Sequence, residues 1–342
     1  MATLSDMASR PQRRRSLRDL PKAHLHAHLD GSYPEGAVRE LALRRDRGFQ
    51  LHHDFPTVTA FFEAYGSVPA LVDEHDDLAE LCRALVWQEA AEGVIYLEPA
   101  IEPQLYAPRL GSLEQVTHTM LGAFAEAAAD AGIEVGALLT INTDCDEHLS
   151  TALARLAAEH AGSGVTALGT AGFVEPAGLH RYASAAKIAR AAGLPVVSHA
   201  GQTGGPDSVL EALDQLGATR LSHGFRSAES PALLDRLAAE RIVCDVCPVS
   251  NVALGVVTDL AAHPAPALVA AGVPITLNAD DQLWFGAGIT AQYEIARQTW
   301  GFDDAALANI ARSGTLAAGM SAGTRTRMSQ GITDWLQEEE TS

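Results

Sequence analysis

The sequence predicts an α/β chain folded as a closed parallel (β/α)8 barrel, a TIM barrel with extra helices. Three observations carry that expectation. The length of 342 residues suits one large α/β barrel. Eight short apolar runs alternate with Ala/Leu/Glu/Arg-rich stretches of helical periodicity, the pattern of a parallel sheet covered on both faces. Several of those runs end in histidines or carboxylates, and the active residues of such barrels stand at the C-terminal ends of the strands. An open doubly wound sheet is the alternative. It wants a glycine-rich turn after the first strand, and the chain reads Asp30-Gly31-Ser32-Tyr33-Pro34 there.

Residues 1–18 read as a short, polar, disordered N-terminal tail containing Arg13-Arg14-Arg15. It has no apolar core of a secretory signal. The first strand, 23–30, is His-rich: Lys22-Ala-His-Leu-His-Ala-His-Leu-Asp-Gly31. Side chains two apart share a face of a strand, which puts His24, His26 and His28 together and Leu25, Ala27 and Leu29 opposite. Asp30 and Gly31 then end the strand. A long insertion follows, with Asp54-Phe55-Pro56 and Phe61-Phe62-Glu63-Ala64-Tyr65. An aromatic helix at that place is either a lid over a flat apolar ligand or ordinary helix–barrel packing.

The other strands are expected at 94–101, 134–141, 164–170, 195–200, 219–223, 242–248 and 274–280. Helices are expected at 73–92, 112–131, 147–160, 179–192, 207–216 and 230–240, and after the last strand at 289–300, 303–313 and 323–337. No linker, repeat or low-complexity insert interrupts the series, so residues 19–337 read as one domain. The acidic end, 338–342, reads as a solvated, frayed tail.

Composition narrows the function. Hydrophobic residues make up 47% and charged residues 20%, which suits a globular enzyme. The net charge is −19, and Lys22 and Lys187 are the only lysines. No basic face outside residues 10–18 is available for nucleic acid. No run of about 18 apolar residues is present to span a membrane. Cys82, Cys145, Cys244 and Cys247 are too few and too scattered for a disulfide framework, so a reducing, cytoplasmic setting is expected.

The strand ends carry the chemistry. The first gives His26 and His28, the fifth His199, the sixth His223 and the eighth Asp280-Asp281. Imidazole nitrogen and carboxylate oxygen are good ligands for zinc and similar divalent ions. One His-x-His pair alone suits a core strand, but this joint pattern points to a metal centre. His24 sits one layer deeper on the same pleat and reads as a supporting or structural residue. Cys244 and Cys247, three apart on a strand, face opposite sides and are expected to be structural.

These motifs together resemble the adenosine deaminase family, a branch of the metal-dependent amidohydrolases. The resemblance runs from about Leu20 to about Gly319. It rests on Pro21–Gly31, Gly169-Thr-Ala-Gly172, Ser198-His-Ala-Gly201, Ser222-His-Gly224, Val246-Cys-Pro-Val-Ser-Asn251 and Asn278-Ala-Asp-Asp281. It implies that His26, His28, His199 and Asp280 hold one divalent metal, with zinc the first choice. It implies that His223 orients or deprotonates the water on that metal, and that Asp280 shares in catalysis. Asp281 would meet a purine N7, Gly172 the N3 edge and Asp30 a ribose 5′-hydroxyl, with His28 also at the substrate. The strand before Gly172 has no lysine to bridge a second metal.

The implied partner is a small molecule, a purine nucleoside or related heterocycle, and the implied reaction is hydrolytic deamination. A divalent ion lowers the pKa of bound water to about 7. The resulting hydroxide would add to C6 of the ring, and ammonia would leave. Oligomeric state is not legible.

One departure stands out. The family carries glutamate after His-Ala-Gly, and this chain carries Gln202. That glutamate protonates ring N1; a carboxamide donates a hydrogen bond but has no transferable proton. General acid–base groups contribute roughly 10²–10⁴-fold, so adenosine turnover is expected to be impaired. Gly169, Phe173-Val174 and Glu98-Pro99-Ala100 are further departures, and Phe173 would reshape the base edge of the pocket. Three explanations stay open at this level. The substrate is a ring that needs no N1 protonation or takes a proton elsewhere, for instance from Asp281. Gln202 is an engineered change. Or the protein is a non-catalytic, metal-containing nucleoside binder.

Overall fold

The computed structural model describes residues 14–53, 55, 57–172 and 178–338. Residues 1–13 and 339–342 of the expected tails, Asp54 and Pro56, and Phe173 and Val174 lie outside them. Eight strands stand in the order of the chain: β1 (Lys22–His28), β2 (Val94–Ile101), β3 (Ala137–Asn142), β4 (Val165–Ala171), β5 (Val196–Ala200), β6 (Arg220–His223), β7 (Val243–Val246) and β8 (Ile275–Leu277). Every neighbouring pair is parallel. A two-residue strand, Glu134–Val135, adds to β2 before Gly136 interrupts the run that the sequence suggests is continuous.

The ring closes between β1 and the end of β8. His28 N–H donates to the Asp280 carbonyl at 3.0 Å, and Asp280 N–H donates to His26 at 3.1 Å. The fold is therefore a (β/α)8 barrel, as the alternation of apolar and helical runs predicts. The strands are buried nearly throughout, because the barrel interior covers one face and the helices the other.

Strand β1 does not keep the simple alternation expected of it. The register shifts between His24 and Ala27, and the Asn278 side chain fills the gap. Its Oδ1 accepts from the N–H groups of Leu25 at 2.8 Å and His26 at 3.1 Å. The irregularity separates His24 from the other two histidines. His24 bonds Glu89 of the outer helix His75–Ala91 at 2.7 Å, and its Nε2 accepts from Ala279 N–H at 3.0 Å. Both ring nitrogens are thus used structurally, and His24 does not sit a layer below the site on a shared face. The strand also ends earlier than expected, since Leu29–Ser32 forms a helical turn that carries Asp30 and Gly31.

The helices fall close to their expected positions, each at a legible start signal. Ser112 and Gln115 form a capping box for Leu113–Ala131, and Asp146, Ser230, Asp303 and Ser321 cap later helices. The helix Val58–Ser67 starts at Thr57. Two short helices after the last two strands, Pro248–Ala253 and Gln282–Phe285, are not visible in the periodicity, being shorter than two turns.

The expected N-terminal tail needs correction. Residues 14–18 pack on the barrel rather than standing free. Leu17 and Leu20 are buried, Arg15 pairs with Asp304 at 2.9 Å, and Trp335 donates to the Ser16 carbonyl at 2.8 Å. Lys22 explains the docking. Its ammonium is buried and donates to the carbonyls of Leu17 at 2.5 Å and Leu20 at 2.7 Å. No helix among the described residues is long and apolar enough to cross a membrane.

Candidate active site

The strand ends bring four side chains to one point. Ligand atoms of His26, His28, His199 and Asp280 all lie within 4.8 Å of one another, and all four residues are buried. Asp280 Oδ1 is 3.2 Å from His26 Nε2 and 3.3 Å from His28 Nε2. His28 Nε2 and His199 Nε2 are 3.2 Å apart. The Nδ1 of His199 stands 2.5 Å from the Thr170 carbonyl, which can only accept. That bond fixes the proton on Nδ1 and turns the Nε2 lone pair inward.

Burial makes His28 and His199 reluctant to carry charge. It lowers His28 to about 4, against the nearby Asp280 carboxylate, and holds His199 well below the ordinary histidine range. Neutral imidazoles are ligands; protonated ones are not. Both nitrogens of His26 are buried without a hydrogen-bond partner. An orphaned, desolvated lone pair is costly unless something binds there. The donor set, its convergence and these orphaned atoms fit a divalent cation.

His223 stands beside the cluster, its Nε2 3.8 Å from Asp280 Oδ2. Asn251 donates to its Nδ1 at 3.2 Å, and His263 donates to Asn251 Oδ1 at 3.1 Å. This relay leaves the proton of neutral His223 on Nε2, which has no protein partner. Ser250 donates to Asp280 Oδ2 at 2.6 Å and fixes the carboxylate. Both His223 (φ 71°) and Asp280 (φ 63°) hold left-handed backbone conformations. Non-glycine residues rarely do so, and such strain collects at functional sites. Cys247 comes close enough to group with His26 and His223, while Cys244 packs against Gly224. The two sulfurs do not converge, as expected, but Cys247 borders the site. Burial pushes its thiol far up, so it is present as neutral S–H.

The family model for adenosine deaminase matches residues 21–335, and it matches over this fold and these strand ends. The chain belongs to the adenosine deaminase family. It is a hydrolase of the deaminase type, acting on cyclic amidines of the purine kind. A relative from Streptomyces coelicolor, named as a candidate adenosine/adenine deaminase, is 36% identical over 342 residues, covering 95% of this chain and 99% of its own. The adenine deaminase of Chelativorans sp. is 35% identical over 315 residues, covering 90% and 96%. Among solved structures, adenine deaminase from Arthrobacter aurescens superposes with a TM-score of 0.85 at 27% identity, covering 93% of this chain and 99% of that one.

Beside this cluster lies a cavity of about 50 Å³ that opens to solvent, lined in part by His28, His199, His223, Gln202, Asp280 and Asp281. Phe61, Phe62 and Tyr65 of the helix Val58–Ser67 also line it, together with Leu254. Glu102, Asn142, Ala171 and Gly172 form the remaining wall. The adenosine deaminase pattern thus brings Gly172, Gln202, His223 and Asp281 to one cavity, as the sequence suggests. Asp281 Oδ1 is buried there without a partner. Burial and the adjacent Asp280 carboxylate push the Asp281 carboxyl well above the ordinary carboxylate range.

Asp30 departs from expectation. It is fully buried and does not line the cavity. The Tyr106 hydroxyl donates to Oδ1, and Tyr65 donates to Oδ2 at 3.3 Å. Burial raises Asp30 to about 6, against those two hydrogen bonds. Sequence reasoning gave no role to Tyr106 or Glu102, and it quoted Asn278 only within a motif and Tyr65 only as part of an aromatic helix.

Proposed function

We propose that this chain is a one-metal aminopurine deaminase whose preferred substrate is the free base adenine: adenine and water yield hypoxanthine and ammonia. The observation that carries the reading is the convergence of His26, His28, His199 and Asp280, with orphaned ring nitrogens, on the floor of one cavity. A divalent ion, zinc by donor type, would be held by these four residues and would supply an activated water at neutral pH.

The chain's own side chains do the rest. His223, with its proton on Nε2, orients the attacking oxygen. Asp281 donates to N7 and draws electrons from C6. Gly172 leaves room at the N3 edge, where a Cβ would fall 2.5 Å from Thr143 Oγ1. Gln202 hydrogen-bonds N1 without transferring a proton. Phe61 and Phe62 exclude water from the ring faces.

The free base is preferred because Tyr65 and Tyr106 cover Asp30, so no carboxylate is offered to a ribose hydroxyl. The relatives named adenine deaminases support the same choice. The test is ammonia release from adenine, adenosine and adenosine monophosphate. Adenine is expected to exceed adenosine in kcat/KM by at least tenfold, and the reverse order would overturn the choice. Gln202→Glu is expected to raise adenine turnover by about 10²–10⁴-fold. A second reading, a nucleoside binder without turnover, is favoured only by Gln202. It would be upheld if the parent and Gln202→Glu both bind purines and release no ammonia.

A further inference from the structure

One acidic side chain in the cavity wall has no role in the chemistry above. Glu102 follows β2 and is 1% exposed, yet it lines the cavity. Pro103 after it disfavours the helical region, and Glu102 has φ −124° and ψ 75°. Its Oε2 accepts from Asn142 Nδ2 at 3.2 Å and from Gln104 Nε2 at 3.1 Å, and the Tyr65 hydroxyl also bonds the carboxyl group. Gln104 is held in turn by the Thr140 carbonyl at 3.2 Å. Among the described residues no lysine, arginine or histidine pairs with Glu102. The charged groups nearest it are carboxylates, Asp30 and Asp144. A buried carboxyl group set without a cation is costly to keep. Packing alone would be served better by a carboxamide or an apolar residue.

The position gives it a use. The reacting end of the site is built from β1, β5, β6 and β8. Glu102, Asn142 and Gly172 follow or end β2, β3 and β4, across the barrel from β6 and β8. They are contiguous, since Asn142 Oδ1 lies 2.7 Å from where a Cβ on Gly172 would stand. A purine with C6 over the metal ligands and N7 at Asp281 turns its N3/N9 edge to this wall. A free base carries N9–H, a donor. A nucleoside carries a sugar there and has no hydrogen to give.

We propose that Glu102 is the specificity-determining residue for this edge. Its Oε1 accepts N9–H of a free purine, a hydrogen bond that an N9-substituted purine has no hydrogen to make. The inference rests on the proposed aminopurine reading and deepens it. Burial raises Glu102 to about 8, with Asp30 and Asp144 contributing. The group therefore enters the complex mostly neutral, and a ligand donor stabilises its acceptor form.

The experiment compares metal-loaded parent, Glu102→Gln and Glu102→Ala with adenine and 9-methyladenine. A parallel titration calorimetry arm uses hypoxanthine and 9-methylhypoxanthine, which do not react. Circular dichroism and bound metal content show that each variant is folded and loaded. For the parent, adenine is expected to exceed 9-methyladenine in kcat/KM by about 10- to 100-fold, the value of one hydrogen bond to a charged or buried acceptor. In Glu102→Ala the ratio is expected to approach one, through loss on adenine and no loss on 9-methyladenine. Glu102→Gln keeps an acceptor oxygen and is expected to restore part of the ratio. The binding arm should show the same order. A parent that does not discriminate, or a ratio unchanged in Glu102→Ala, overturns the inference. If no protein releases ammonia from either base, the deaminase reading fails. The hypoxanthine preference alone then decides whether Glu102 reads N9.

Discussion

At Gly31 one absent methyl group decides where a functional carboxyl can sit. A Cβ there would fall 1.9 Å from Asp281 Oδ1, an overlap no side-chain adjustment at Gly31 can relieve. Gly31→Ala must therefore push Asp281 out of its place in the cavity wall. A shift of about 1 Å costs on the order of 10²-fold in rate, and that loss of kcat/KM is expected. Gly36 is the control, since a Cβ there meets nothing within 4 Å. Gly36→Ala is expected to leave activity intact and to add about 0.5–1 kcal/mol of stability. Activity of Gly31→Ala within twofold of the parent would contradict the placement of Asp281. Residues of this kind divide into legible and illegible. His26, His28, His199, His223 and Asp280 could be read from the sequence because each ends an apolar run, and a barrel has one rule for such ends. Tyr106 and Glu102 could not, because their meaning lies in what they face across the barrel.

Strand β1 shows how one element is specified by another. Its histidines alternate as a plain strand would have them, yet the sequence two-fold pattern fails at Leu25–His26, where Asn278 replaces a strand partner. Nothing in the local sequence announces this, since the partner is more than 250 residues away. Asn278 also donates to Thr276 at 2.8 Å, and Thr276 donates to Asp245 at 2.7 Å. Asp245 pairs with Arg220 at 3.0 Å, and Arg220 with Glu98. A polar chain thus runs from Asn278, after β8, to Glu98 of β2. Asn278→Ala would leave two buried N–H groups without an acceptor. Each unsatisfied buried group costs about 1–3 kcal/mol. A drop in stability of about 2–5 kcal/mol is expected by denaturant titration, with weaker metal binding because His26 is no longer held. An unchanged midpoint would show that the β1 irregularity does not depend on Asn278. The helices were legible for the opposite reason: Ser112, Asp146, Asp303 and Ser321 announce them locally.

For the whole molecule, the buried acids of the cavity leave a mark on stability against pH. The carboxyls of Asp30, raised to about 6, and Glu102, raised to about 8, titrate near 4 in the unfolded chain. Between those values the folded state holds more protons than the unfolded one. Stability from these groups is therefore full below about pH 4 and is lost as pH rises, until each folded value is passed. Glu102→Gln removes its share. The variant is expected to gain stability relative to the parent as pH goes from 5 to 8, by on the order of a few kcal/mol. A difference that stays flat over this range would show that Glu102 is not held protonated.

On the proposed reading, His26, His28, His199 and Asp280 hold a single divalent ion on which purine deamination depends. The most direct measurement strips the protein with a chelator and titrates zinc back while following the initial rate of ammonia release from adenine. The expected result is a rate near zero in the stripped protein that rises linearly and breaks at one equivalent of metal per chain. A rate that survives stripping, or a break at two equivalents, would contradict the account.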